Sequence, residues 1–155
     1  MLTLYLLCGP PGSGKSRTAK EYEKSKNIPV ISRDAVRAEL KAKNPNVPEN
    51  AIWQEVLKRA QAALEQGYDT LIDATFSNPK RRKSAVAMAR TLGSGISIIA
   101  LVMNTPLPKC LEQNRLRKGD ARIPDKDVER LYRDFWSQPP QPGVDGIDVV
   151  RHLMQ

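Results

Sequence analysis

Leu2-Thr3-Leu4-Tyr5-Leu6-Leu7-Cys8-Gly9-Pro10-Pro11-Gly12-Ser13-Gly14-Lys15-Ser16 decides the fold. Leu2–Cys8 is a short apolar run rich in strand formers and reads as a buried strand. Gly9–Ser16 fits GxxxxGK[ST] in full, and the residues from Lys15 to about Lys26 read as the helix that follows. A triphosphate carries several charges that must be held without bulky side chains in the way. Glycines let the turn aim backbone N–H groups inward, and the helix N-terminus adds a partial positive charge. On this reading Gly9, Pro10, Pro11, Gly12, Ser13 and Gly14 cradle the phosphates of ATP. Lys15 reaches the β- and γ-phosphates, and Ser16 offers its hydroxyl to Mg²⁺. A glycine-rich turn that only resembles the motif would not need both the strand before it and the helix after it.

Working outward, the chain alternates. Asn27–Ile31 reads as a second strand, Arg33 to about Lys43 as a helix opened by Ser32 or Arg33, and Asn44–Pro48 as a loop. Glu49–Gln66 is a helix with Ile52, Val56, Ala60, Ala63 and Leu64 on one face, stopped by Gly67. Thr70–Asp73 is a third strand ending in an acid. Pro79–Leu92 is a basic helix, and Ile96–Val102 a fourth strand. Asn104-Thr105-Pro106 opens the next helix, Asp125–Phe135 is a further one, and Gly146–Val150 is a fifth strand. Strands alternating with helices imply a parallel, doubly wound α/β sheet: three layers, α/β/α, with five strands, in a single domain over residues 1–155.

The balance of charge is basic, 25 Lys and Arg against 17 Asp and Glu, for +8. Such an excess attracts polyanions, nucleotides or an anionic surface, though a basic surface that serves only solubility has the same composition. An apolar fraction of 40% and a charged fraction of 27% exclude a disordered chain. Cys8 and Cys110 lack metal-ligand spacing and His152 is the lone histidine, so a zinc site is not expected. Two isolated cysteines suit reduced thiols and a cytoplasmic setting. Leu2–Leu7 is too short for a signal peptide or a membrane span, so no membrane association is expected.

The acceptor side begins at Ile31-Ser32-Arg33-Asp34-Ala35-Val36-Arg37, after the second strand, whose carboxyl end opens toward the phosphate loop. Asp34 and Arg37 share a helix face. A carboxylate to take a proton with a guanidinium beside it is what phosphoryl transfer to an alcohol requires; a surface i,i+3 ion pair has the same spacing. Asp73 is open to three readings: an acid orienting Mg²⁺ through water, a cap on the turn Ala74–Pro79, or a holder of a basic side chain at the acceptor site. Lys80-Arg81-Arg82-Lys83 opens its helix with four cations that oppose the dipole. A nucleic-acid phosphate would compensate them, and a solvated face would equally leave them free. Trp136 and Phe76 could border the bases of donor and acceptor, but packing is the commoner role for each.

The phosphate loop, Ser32-Arg33-Asp34-x-x-Arg37, Ile72-Asp73-Ala74-Thr75 with Asn78-Pro79-x-Arg81-Arg82, and the basic segment Asn114–Arg122 before Ile123-Pro124 occur in that order. Together they resemble the kinase domain of phage-type polynucleotide kinase, over roughly residues 1–137. The resemblance implies a P-loop kinase fold with a helical lid at about 114–124, and ATP-dependent transfer of the γ-phosphoryl group to the 5′-hydroxyl end of DNA or RNA. It implies Asp34 as general base, Arg37 on the acceptor's 3′-phosphate, Asp73 beside the acceptor, and a lid arginine on the β- or γ-phosphate. Arg117 is favoured for that last role because it follows Asn114 by three. The lid is one residue longer than the family pattern, so Arg115 and Arg122 remain competitors for ATP contact. A small-molecule kinase acting on a nucleoside, nucleotide or sugar would share every ATP-side residue, and a slow ATP-hydrolysing switch would share the phosphate loop. The phage enzyme carries a C-terminal phosphatase domain. With no such extension after Gln155, 3′-phosphatase activity is not expected, and the oligomeric state is left open. A phage protein acting in the host cytoplasm is compatible with the resemblance.

Overall fold

The computed structural model describes residues 2–154, with Asp120 defined by its backbone alone. Five strands, β1 (Thr3–Cys8), β2 (Val30–Ser32), β3 (Thr70–Asp73), β4 (Ser97–Met103) and β5 (Val149–Leu153), form one sheet in the order β2-β3-β1-β4-β5. All four pairings are parallel. The helices are α1 (Lys15–Lys26), α2 (Arg33–Lys43), α3 (Glu49–Glu65), α4 (Pro79–Arg90), α5 (Leu107–Arg115) and α6 (Asp125–Ser137), with a 3₁₀ turn at Gly119–Ala121.

The period of two along the strands explains the layering. Leu4, Leu6 and Cys8 of β1 and Ile98, Ala100 and Val102 of β4 face one way. There they join Ile52, Val56, Ala60 and Leu64 of α3, Ala85 and Ala89 of α4 and Phe135 of α6. Tyr5 and Leu7, with Ile99, Leu101 and Met103, face the other way and pack with Ala19 and Tyr22 of α1. Both faces are covered, which is why β1 and β4 read as unbroken apolar runs rather than alternating ones.

Two strands sit later than the apolar pattern suggests. Asn27 adopts a left-handed conformation (φ 53°) as the C-cap of α1. Asn27-Ile28-Pro29 are therefore spent on the turn, and β2 begins at Val30 and ends at Ser32. At the other end of the chain, Asp145 and Gly146 carry φ of 60° and 82°, a turn that a strand cannot contain. Ile147 is buried, the Asp148 side chain accepts the Ile98 N–H at 2.8 Å, and β5 runs from Val149 to Leu153. As an edge strand, largely exposed, β5 sends only Val150 and Leu153 toward the core, three residues apart and too few to make an apolar run. Helix α4 ends at Arg90 and α6 extends to Ser137, small shifts at frayed ends. Among the described residues no helix is long and apolar enough to cross a membrane.

Candidate active site at the carboxyl edge

The register of the sheet assembles the site. Ser32 lies opposite Asp73, and Asp73 opposite Leu7, so the ends of β2, β3 and β1 are level. The loop Gly9–Gly14 leaves β1 from this edge, and the chain goes to β2 and β3 on one side and to β4 and β5 on the other. Ligands of open α/β sheets bind at such a reversal.

The loop is held from both sides. Gly9 N–H donates to the Thr75 carbonyl at 3.3 Å, and the buried Thr105 hydroxyl donates to the Ser13 carbonyl at 2.8 Å. Gly12 has φ 79°, and a Cβ there would come within 2.2 Å of the Cys110 carbonyl oxygen, so a side chain is excluded on two counts. Gly14, left-handed at φ 95°, is the N-cap of α1; it supplies no side-chain cap, and the first turn holds no acid. The N–H groups there thus keep their capacity for an anion. The Ser13 hydroxyl is buried with no hydrogen-bond partner, a further polar atom in the cradle without an acceptor of its own.

Asp73, half-buried, reports what surrounds the crevice. Burial pushes its carboxyl up from the ordinary value, Lys15 draws it back down, Asp34 pushes it up and Arg117 lowers it. Lys15, Asp34 and Arg117 are each within electrostatic reach of Asp73, although they come from three other segments. Ser32 caps α2, its hydroxyl accepting the Ala35 N–H at 3.2 Å, and this places Asp34 in the exposed first turn. Arg37 does not pair along its own helix. Its Nε donates to Glu49 Oε1 at 2.9 Å, while Arg33 Nη2 donates to Glu49 Oε2 at 2.6 Å.

The segment after α5 is anchored by Asn114, which is fully buried. Its Nδ2 donates to the Ile123 carbonyl at 2.7 Å and its Oδ1 accepts the Ile123 N–H at 3.2 Å, closing the base of the 115–122 stretch. The three lid arginines differ in placement. Arg115 pairs with Asp125 at 2.7 Å at the base, Arg122 is exposed, and Arg117, partly buried, donates to the Ala121 carbonyl at 3.4 Å. With Arg17, Lys109, Glu112, Gln113 and Leu116, Arg117 lines a cleft of about 320 Å³ between α1 and α5. Of this lining only Arg117 is legible beforehand. Arg17 directly follows the motif serine, but α5 can be set beside it only by the fold.

The basic run Lys80–Lys83 is not one surface. Arg82 is buried, donating to the Phe76 carbonyl at 2.7 Å and to Asp145 at 3.2 Å. Arg81 lies over the Trp53 ring, 5.0 Å from its centre. Only Lys80 and Lys83 are exposed. Four cations in succession are thus split between faces: on a helix, successive residues point about 100° apart, so half the run meets the core. Phe76 is itself buried against Trp53, with ring centres 5.6 Å apart, and Trp136 packs edge-on against Phe135 at 5.0 Å. Both aromatics serve packing.

A five-stranded parallel sheet of order 2-3-1-4-5 with a phosphate loop after its central strand defines a P-loop, nucleotide-binding, kinase-like fold. The AAA domain family model matches residues 4–137, and the chain belongs to that family. Uncharacterized proteins of Mycobacterium tuberculosis and Mycobacterium bovis are 31% identical over 107 residues. These matches cover 60% of this chain and 22% of each relative, so the chain spans less than a quarter of their length. The crystal structure of a sugar kinase from Janibacter sp. HTCC2649 superposes with a TM-score of 0.70 at 15% identity, covering 99% of this chain and 86% of that one. A chain of the Pnkp1/Rnl/Hen1 complex superposes with a TM-score of 0.63 at 24% identity, covering 77% of this chain and 40% of that one. At such identities the likeness is one of fold.

Proposed function

We propose that this chain is an ATP-dependent polynucleotide 5′-hydroxyl kinase. The observation that carries the reading is the level register of β2, β3 and β1, which sets Asp34 and Asp73 at the edge from which the phosphate loop rises. Asp34 takes the proton of the 5′-hydroxyl, and the oxygen attacks the γ-phosphorus as the bond to the ADP oxygen breaks. Lys15 and Arg117 offset the charge spread over the transferring group. Asp73, whose carboxyl burial favours the protonated form, lies between base and loop, where it can hold the acceptor hydroxyl. Arg37 holds the acceptor's 3′-phosphate. Arg115, tied to Asp125, and the exposed Arg122 are weaker candidates for contact with ATP. The cleft beside Arg17 and Arg117 suits the donor nucleotide.

Mg²⁺ fits this donor set. Among the described residues no group of three or more His, Cys, Asp or Glu could cage a metal. Mg²⁺ needs no such cage, since it binds through one or two protein ligands plus phosphate oxygens. Ser16 would hold it, with Asp73 near, and when bound it would neutralise phosphate charge.

A second reading, a small-molecule kinase, is favoured by the dispersal of the Lys80–Lys83 run and by the near-complete superposition on a sugar kinase. Incubation with γ-labelled ATP, Mg²⁺ and matched 5′-hydroxyl DNA, RNA, nucleoside 3′-monophosphates and sugars separates the two. Label is expected on the oligonucleotides, and Asp34→Ala is expected to lower transfer by about 10³-fold with ATP binding retained. Label on sugars alone would remove the polynucleotide reading, and label on none would remove both.

A further inference from the structure

Among the described residues three non-glycine residues have a left-handed backbone: Asn27, Phe76 and Asp145. Asparagine and aspartate tolerate that conformation. A phenylalanine does not adopt it unaided, so the φ of 53° at Phe76 is imposed by what surrounds it. Phe76 is buried in the turn between β3 and α4, three residues after Asp73. Arg82 supplies the constraint. Its Nη1 donates to the Phe76 carbonyl at 2.7 Å and its Nε to Asp145 Oδ2 at 3.2 Å. One buried guanidinium therefore holds two of the three left-handed residues. The Asp145 end is itself fixed, because a Cβ on the neighbouring Gly146 would come within 2.6 Å of Val86 Cγ1 on α4.

The constraint reaches the site through the backbone. Thr75, directly before Phe76, accepts the Gly9 N–H on its carbonyl at 3.3 Å, and the Ala74 N–H donates to the Leu7 carbonyl at 3.4 Å. Arg82 also lies close beneath the phosphate loop. Burial pushes the Cys8 thiol up, and of the charges that act on it Arg82 lowers it most, ahead of Lys15. A packed apolar pair would serve stability as well as the buried Arg82–Asp145 pair, but it could not hold a carbonyl. We propose that Arg82 is a positioning residue for phosphoryl transfer: by fixing the Phe76 carbonyl it keeps the Asp73–Thr75 segment aligned with the phosphate loop. Arg82 touches no substrate and acts through Phe76 and Thr75. The proposal rests on the reading of Asp73 as lying beside the acceptor. It gives the interior arginine of the Lys80–Lys83 run a role that a nucleic-acid contact cannot supply.

The test separates alignment from stability in the full chain. Arg82→Met combined with Asp145→Asn removes the guanidinium without stranding a buried charge. The double variant is expected to keep most of the parent's urea midpoint and to bind ADP within about twofold of the parent, since Lys15 and the loop glycines are untouched. Its kcat for label transfer from ATP is expected to fall at least about tenfold with KM for ATP nearly unmoved, because a misplacement of about 1 Å can cost 10²-fold in rate. A crystal structure of the double variant is expected to show Phe76 outside the left-handed region and the Thr75 carbonyl drawn off Gly9. Arg82→Lys keeps a cation but not the planar fork that reaches two acceptors, so it should shift kcat in the same direction and covers the case in which the double variant does not fold. An unchanged kcat in the variants that fold, or Phe76 still left-handed without the guanidinium, overturns the proposal. So does a loss of ADP affinity as large as the loss of kcat, which would mean that the loop itself has collapsed. The two readings fail separately. A parent that labels no acceptor, with Phe76 displaced in the variant, removes the kinase and leaves the hold on the turn, while an active parent with Phe76 unmoved in the variant does the reverse.

Discussion

At the scale of single residues, Asp73 carries a cost in stability. Burial is the main reason its carboxyl holds a proton more tightly in the folded chain, and Lys15 and Arg117 only partly oppose this. Because the folded value lies above the unfolded one, the stabilising contribution of this group is fully present below the ordinary carboxylate pKa. It is lost as pH rises through the folded value. At neutral pH the group is therefore a net cost. Asp73→Asn is expected to raise Tm by about 2–4 °C at pH 7 and by nothing near pH 3, while lowering phosphoryl transfer by about 10²-fold. Thermal melts across that pH range check it; a variant less stable than the parent at pH 7 contradicts the account.

At the scale of elements, two contacts carry more than their neighbours. Asn114 joins α5 to the chain before α6 through both of its amide atoms, fully buried. Asn114→Ala leaves the Ile123 N–H and carbonyl unpaired and should cost about 1–3 kcal/mol. It should also speed tryptic cleavage in the 115–122 segment. Arg115→Ala removes an exposed, solvent-screened ion pair with Asp125 and should leave the unfolding midpoint nearly unchanged, so the two variants side by side test whether the amide clamp or the charge closes the base of the 115–122 segment. The second contact is Arg82–Asp145, both nearly fully buried, which binds α4 to the turn before β5. Arg82→Met leaves the buried Asp145 carboxylate with only the exposed Lys83, 3.9 Å away, and should cost about 3 kcal/mol in denaturant unfolding. Adding Asp145→Asn should return a large part of that loss, because the penalty lies in the unpaired charge. A double variant no better than the single one would mean that the bond to the Phe76 carbonyl is what matters.

For the whole molecule, a net charge of +8 says less about a polymer substrate than its size suggests. Of the densest basic run only Lys80 and Lys83 are fully exposed, while Arg81 is partly buried and Arg82 interior. A 5′-hydroxyl oligonucleotide should therefore meet few cations beyond the arginines near Asp34. The slope of log K against log salt should be about −2, against about −1 for a nucleoside 3′-monophosphate, reflecting two or three contacted phosphates at about 0.7 each. A slope steeper than about −4 would reveal an extended channel. Equal slopes for the two ligands would favour the small-molecule reading.

Local chemistry made the phosphate loop, the helix start at Ser32 and the two central strands legible, because each depends on residues close in sequence: glycines at set spacing, a hydroxyl before a helix, an unbroken apolar run. Edge strand β5 was not legible past Val150, since half-exposed residues pair through backbone atoms and leave no apolar pattern. Nor could spacing show that Arg82 is interior, that Arg81 rests on Trp53, or that Glu49 is the partner of Arg33 and Arg37. Charges on one helix are sorted into solvent, core and site only by what the other elements bring against them. The sequence by itself determined a nucleotide loop on a parallel sheet and offered candidate site residues. The tertiary structure alone decided which of those residues share a crevice, because strand register, a long-range property, levels β2, β3 and β1 at one edge.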